Sequence, residues 1–297
     1  MNTHSLIQQL LAQGPVLTDG AWGTQLQARG LAAGEFPDLW NLTHPEKVTE
    51  VARAYVEAGS RVILTNTFGG NRFRLQETGF ADRVAEINEA GARLSREAAG
   101  KRASVFASMG PTGKMLVAAE ANPEEISAAF REQAAALARG GADALVVETM
   151  SDLAEAKLAV AAAKETGLPV VACMVFNSGK DRDRTMMGTT PEEAAVGLIG
   201  AGADVIGVNC GQGIAGFVKI CARLKSAAAG RPVWIKANAG LPELRDGKPS
   251  YRTTPMEFAS FVPALVEAGA NFIGGCCGTS PEFIRAIRQT LDKITPR

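Results

Sequence analysis

Over 297 residues, Lys plus Arg match Asp plus Glu at 31 each, and no basic stripe of the kind that grips nucleic acid is present. No run approaches the roughly 18 apolar residues of a membrane span. The start, Met1-Asn2-Thr3-His4-Ser5, lacks the charged and apolar regions of a secretory signal. The five cysteines, 173, 210, 221, 276 and 277, are odd in number and carry no disulfide-framework spacing, which suits a reduced, cytoplasmic chain. Only His4 and His44 are present, one in the N-terminal tail and one before Pro45, so histidine acid–base or triad chemistry has too little to work with.

Residues 5–13 read as a short helix covering one end of the fold. Strand-like runs then alternate with helix-like runs. The strands are expected at 15–20, 61–68, 104–109, 143–149, 169–176, 203–209, 232–238 and 271–276. They are rich in Val, Ile and Ala and mostly apolar on both faces, as buried parallel strands are. Helix starts are signalled at Pro45-Glu46, Pro123-Glu124-Glu125, Ser151-Asp152, Pro191-Glu192-Glu193 and Ser280-Pro281-Glu282. Four helices end in a recurring glycine phrase, around Gly59, Gly140-Gly141, Gly202 and Gly269, with a strand following at once. Helix-to-strand links are therefore short. Strand-to-helix links are often longer, notably 21–44, 69–79, 110–122, 177–189 and 239–253. That asymmetry is what a (β/α)8 barrel with its site on the C-terminal face requires. The expectation is α/β, one (β/α)8 barrel domain over 1–297. A doubly wound open sheet is the alternative, weakened because no Gly-x-Gly-x-x-Gly follows the first strand.

Several strand ends carry chemistry. The last, Phe272-Ile273-Gly274-Gly275-Cys276-Cys277-Gly278-Thr279, runs into two adjacent thiols between glycines. Vicinal cysteines rarely pair with each other, because the small ring strains the backbone, and two thiols at a strand end suit a soft metal better. Cys210 ends another apolar strand, Val205 to Cys210. Alone it reads as a small buried hydrophobe, but a barrel can bring it to Cys276 and Cys277, and together the three suit one zinc. Cys173 and Cys221 sit among apolar residues and read as packing. Asp19-Gly20 ends the first strand, where it can present a ligand group with room beside it or cap a turn. Asn66, in Leu64-Thr65-Asn66-Thr67-Phe68-Gly69-Gly70, can line a pocket mouth or simply end a strand. Glu148, after a fully apolar strand, needs a partner at the rim: a substrate ammonium or a salt bridge. Asn238 ends the seventh strand as a plain turn residue or as an oxygen facing the metal.

Together these segments resemble the homocysteine S-methyltransferase family, which includes the homocysteine module of cobalamin-dependent methionine synthase and betaine–homocysteine methyltransferase. The matching pieces are Asp19 to Thr24, Thr65 to Phe68, Met109 to Gly113, Val147 to Thr149, Gly207 to Cys210, Asn238 to Pro242 and Gly274 to Thr279. The resemblance implies a (β/α)8 barrel with zinc on Cys210, Cys276 and Cys277, joined by Asn238 before substrate arrives. It implies that Asp19 and Glu148 help hold the amino group of homocysteine, and that the product is methionine.

The donor is less legible. The 297 residues hold no counterpart of the folate, cobalamin and activation modules of methionine synthase. The donor is therefore expected to be a small molecule, or to come from methylcobalamin and methyltetrahydrofolate through a separate corrinoid protein that docks on the barrel face. The segments Leu64 to Gly70 and Leu39-Trp40-Asn41 resemble the bacterial betaine-using branch, which favours betaine over S-methylmethionine. The animal betaine enzymes have tyrosines where Gly69 and Thr149 align here. Phe36 and Trp40, on the 21–44 loop, are the candidates to supply aromatic faces to a quaternary ammonium. They suit a loop anchor equally. A non-catalytic zinc barrel or a redox dithiol is the reading of a different class. A homo-oligomer is compatible with the sequence, and no nucleic-acid or membrane partner is expected.

Overall fold

The computed structural model describes residues 4–245 and 248–294. Residues at both extremes of the expected 1–297 domain, and 246–247 of the expected 239–253 loop, lie outside the described residues. Eight parallel strands are present at β1 (Val16–Leu17), β2 (Val62–Ile63), β3 (Ser104–Met109), β4 (Ala144–Met150), β5 (Val170–Met174), β6 (Val205–Gly213), β7 (Val233–Asn238) and β10 (Ala270–Gly275). A short antiparallel hairpin, β8 (Glu243–Arg245) and β9 (Lys248–Ser250), lies between β7 and β10 and was not anticipated. The sheet order is β1-β10-β7-β6-β5-β4-β3-β2, with helices between successive strands, a nearly closed (β/α)8 barrel.

The seam between β1 and β2 shows why these two strands are shorter than their apolar runs suggest. Arg61 N donates to Leu17 O at 2.8 Å and Ser60 Oγ to Thr18 O at 3.2 Å. Beyond them the next donor, Leu64 N, goes to the carboxylate of Asp19 at 2.7 Å instead of to a strand carbonyl. A side chain continues the ladder where the backbone stops.

Side chains alternate with period two along each strand. Val16, Val62, Leu64, Phe106, Val146, Val171, Val205, Trp234 and Phe272 form one apolar cluster with Ile7 and Leu10 of the first helix, Ser5–Leu11. This is the barrel interior, plugged from below by that helix. Trp234 stacks on Phe106 at 6.0 Å between centroids and tilts against Phe272 at 5.3 Å. The alternate residues, Leu17, Ile63, Val105, Leu145, Val147, Ile206, Ile235 and Ile273, pack outward against the helices. The helix starts fall at Pro45, Pro123, Leu153, Pro191 and Pro281. Asn122 and Thr190 close capping boxes with Glu125 and Glu193. The terminating glycines 59, 141, 202 and 269 all have φ between 95° and 105°, the left-handed region. Among the described residues, no helix is long and apolar enough to cross a membrane.

Candidate metal centre

The inward register decides what rises above the aromatic layer. Two residues past Phe106, Val146 and Trp234 come Ser108, Glu148 and Lys236. Two further along β7 comes Asn238, and four past Phe272 comes Cys276. The polar floor of the site is therefore set by strand pleat, and it opens at the C-terminal end.

There Cys210, Cys276 and Cys277 place their sulfurs within 4.8 Å of one another, with Cys210 Sγ to Cys277 Sγ at 3.8 Å. Cys210 takes a left-handed conformation, φ 60°, inside a bulge of β6 between Asn209 and Gly213. The Cys276-Cys277 turn is pinned on both sides. Cys276 N donates to Ala237 O at 2.7 Å, and Ala239 N donates to Cys277 O at 2.9 Å. Thr279 Oγ donates to Cys276 O at 2.7 Å and accepts from Ala21 N at 3.1 Å, while Tyr55 OH donates to Ala21 O at 2.6 Å. Gly20 sits against this clasp: a Cβ there would lie 2.7 Å from Tyr55 Oη and 2.8 Å from Thr279 Oγ, so the close approach requires glycine.

The thiols do not titrate independently. Donation from Cys276 and Cys277 holds Cys210 well below the usual thiol range, and the same contact with an ionised Cys210 pushes Cys276 well up, with burial adding to it. Unaided, the cluster holds one negative charge readily and resists more. A cation among the three sulfurs would relieve that resistance. Buried Oδ1 of Asn238 has no hydrogen-bond partner among the described residues, and a buried orphan acceptor costs about 1–3 kcal/mol. Three close thiols and a waiting oxygen fit a zinc ion, whose sites are built from S, N and O ligands. Cys173 and Cys221 are wholly buried elsewhere, with burial pushing Cys221 up to about 12.

Beside the thiols lies an acidic cluster. Glu148 accepts from Ser108 Oγ and, at 3.0 Å, from Asn209 Nδ2. Burial pushes its carboxyl up, and the charge of Lys236 works against that rise. Asn209 also accepts from Thr149 N at 2.7 Å, fixing Thr149 at φ 62°. Asp19 is fully buried and bonds Lys236, Trp22 and Leu64.

The sequence reading passed over two residues here. Lys236 is a lysine inside an apolar strand. The signal for it was register: if Asn238 faces inward, so must the residue two before it. Tyr251 was invisible, because only the folded chain lays its ring against Gly278, where burial and, after it, the three thiols push its hydroxyl up to about 12.

The 21–44 loop holds the aromatic candidates differently from each other. Trp40 is 3% exposed, with its indole N–H on Glu35 at 2.6 Å and its ring 4.5 Å from that of His44. It anchors the loop, and Trp40→Ala is expected to lower stability by about 3–5 kcal/mol, a loss that denaturant titration would measure. Phe36 is half-buried beside Gly69, where a Cβ would come 2.6 Å from Phe36 Cζ. A side chain at position 69 would therefore collide with the Phe36 ring. Asn66 is buried, with Nδ2 on Pro37 O at 2.7 Å and on Asn41 Oδ1 at 3.0 Å, tying the loop to the end of β2.

Asp38, on the same loop, accepts from Gly69 N at 2.9 Å, and burial pushes it from an ordinary 3.8 to about 7. The folded chain then holds a proton that the unfolded chain releases near pH 4. Stability should fall as pH rises from about 4 to 7. Asp38→Asn removes that slope and should gain about 2–3 kcal/mol relative to wild type between pH 5 and 7.5, at 1.4 kcal/mol per unit. Equal gains at both pH values in urea titrations would refute it.

A homocysteine S-methyltransferase family profile matches residues 16–291. The chain is 32% identical to methionine synthase of Mycobacterium tuberculosis, over 96% of this chain and 25% of that one. It is 31% identical to betaine–homocysteine S-methyltransferase 1 of Danio rerio, over 97% of this chain and 76% of that one. This chain thus spans about a quarter of the mycobacterial protein and most of the fish protein. The metallated form of the homocysteine methyltransferase MmuM from Escherichia coli superposes with a TM-score of 0.78 at 23% identity, over 95% of this chain and 99% of that one, a likeness of fold. With the profile covering all eight barrel strands and the three thiols within its span, the chain belongs to the homocysteine S-methyltransferase family.

Proposed function

We propose that this chain transfers a methyl group to the sulfur of homocysteine to give methionine, with zinc held by Cys210, Cys276 and Cys277. The observation that carries the reading is the convergence of these three thiols, from strands far apart in sequence, beside the buried carboxylate of Glu148. Zinc bound there supplies the Lewis acidity that keeps a further, incoming thiol deprotonated at neutral pH. Asn238 offers its orphan oxygen to the same ion in the absence of substrate. Glu148 offers negative charge to the substrate ammonium, and Asp19 stands close to it, buried and bonded to Lys236. Asn209 holds Glu148 and Thr149 in place, and the Tyr55–Thr279 clasp keeps the vicinal thiols from drifting. What remains for the protein is alignment and exclusion of water. The sulfur–carbon bond forms as the donor's bond to its methyl group breaks, and the thiol proton leaves to solvent.

Betaine is the favoured donor. Phe36, beside Gly69, offers an aromatic edge of the mouth, and a cation over an aromatic face gains roughly 0.5–2 kcal/mol. Phe36→Ala should therefore raise the KM for betaine by about 2- to 30-fold and leave homocysteine affinity nearly intact, as initial-rate kinetics would show. A second reading rests on a different observation. Phe68, Met115, Val117, Met186, Met187 and Leu241 are exposed, and all lie on loops leaving the C-terminal ends of strands. Apolar side chains so placed suit a docked corrinoid protein as donor, in keeping with the relation to methionine synthase. The test is a transfer assay with homocysteine and, one at a time, betaine, S-methylmethionine, S-adenosylmethionine, and methylcobalamin with methyltetrahydrofolate, reading methionine by mass spectrometry. Methionine from betaine is expected. Methionine from methylcobalamin alone would move the donor to the second reading, and none from any donor would overturn the function.

A further inference from the structure

Lys236 has no part in the chemistry described so far, yet it is 2% exposed in the layer between Trp234 and Asn238. It is in register with Asn209 of β6 on one side and Gly274 of β10 on the other. Its ammonium donates to Oδ1 of Asp19, which is 0% exposed. The other oxygen of Asp19 accepts from Trp22 Nε1 at 2.8 Å and from Leu64 N at 2.7 Å. Three donors, from β7, from the segment after β1 and from the residue after β2, converge on two oxygens. One of those donors closes the barrel seam. Three of its roughly four acceptor sites are filled and its charge is paired with Lys236, so this carboxylate, shut off from solvent, is a poor partner for an incoming ammonium.

Glu148 is placed differently. Its partners, Ser108 and Asn209, are neutral, and among the described residues it forms no ion pair. With both carboxylates ionised, Asp19, Glu148 and Lys236 together carry one net negative charge. One further ammonium brings the cluster to neutrality, and Glu148 is the carboxylate still open to receive it.

We propose that Lys236 is a specificity-determining positioning residue: it neutralises Asp19 and pins it into the barrel seam, so that Glu148 alone receives the amino group of the substrate. The inference rests on the homocysteine reading above. It divides a labour that the two carboxylates would otherwise share.

The test is amine discrimination, the ratio of dissociation constants for 4-mercaptobutyrate, which is homocysteine without its amine, and homocysteine itself. It is measured by calorimetry on the zinc-loaded protein. Glu148→Gln should bring the ratio near unity. The neutral pair Asp19→Asn/Lys236→Met should keep the ratio within about threefold of wild type, whatever its absolute affinities. Asp19→Asn/Lys236→Gln serves the same measurement if the methionine pair does not fold. Collapse of the ratio in the neutral pair would place the amino group on Asp19 and overturn the assignment. Wild type that binds both thiols equally would overturn it while leaving thiol methylation standing, whereas wild type that binds no homocysteine would overturn the function as well.

Discussion

Alanine in place of Cys210, Cys276 or Cys277 is expected to abolish both bound zinc and methyl transfer. Each sulfur is one of three within 4.8 Å, and structural zinc affinities are built from few, strong ligand bonds, so losing one of three protein ligands leaves too little to hold the ion. Protein purified under reducing conditions should carry about one zinc per chain, read by elemental analysis, and each variant close to none. Cys173→Ala and Cys221→Ala are the internal controls. Both side chains are wholly buried and away from the cluster, so these variants should keep zinc and transfer and lose only packing, about 1 kcal/mol. Full zinc content in the Cys210→Ala protein would contradict the ligand set.

Glu148→Gln should weaken homocysteine binding far more than zinc binding. Removing one member of a buried charge pair costs about 2–5 kcal/mol, because the other is left without compensation. That corresponds to roughly 30-fold to several thousandfold in Kd. The glutamine can still accept from Ser108, but its amide turns a donor toward Asn209 Nδ2, so some local loosening adds to the loss. Calorimetric titration with homocysteine, alongside zinc analysis of the same sample, separates the two effects. Unchanged homocysteine affinity would make Glu148 a rim residue held by Ser108 and Asn209 alone.

Most of the barrel was legible because parallel strands buried on both faces appear as apolar runs, and because helix-ending glycines mark where each next strand begins. Legibility failed where side chains take over from the backbone. The runs at 15–20 and 61–68 overstate β1 and β2, since past Leu17 and Ile63 the seam is held by Ser60 and Asp19 and not by a continued ladder. The thiol trio could be assembled from sequence because a barrel gathers strand ends at one mouth, which makes a separation of some 66 residues no obstacle. The partners of Asp19 could not. They depend on Lys236, a residue that hydropathy treats as an interruption and only the pleat shows to be inside. Trp40 and Phe36 illustrate the same limit. Four residues apart on one loop, they read alike, yet one is sealed into the core and the other lies against Gly69.

The central claim is that the three thiols and their metal together create the place where homocysteine sulfur binds as thiolate. Calorimetry with homocysteine, on zinc-loaded and on metal-stripped protein in two buffers of different ionisation enthalpy, tests it most directly. The account predicts binding to the loaded protein alone, with release of about one proton per homocysteine at neutral pH. Equal binding to the metal-stripped protein, or binding without proton release, would contradict it.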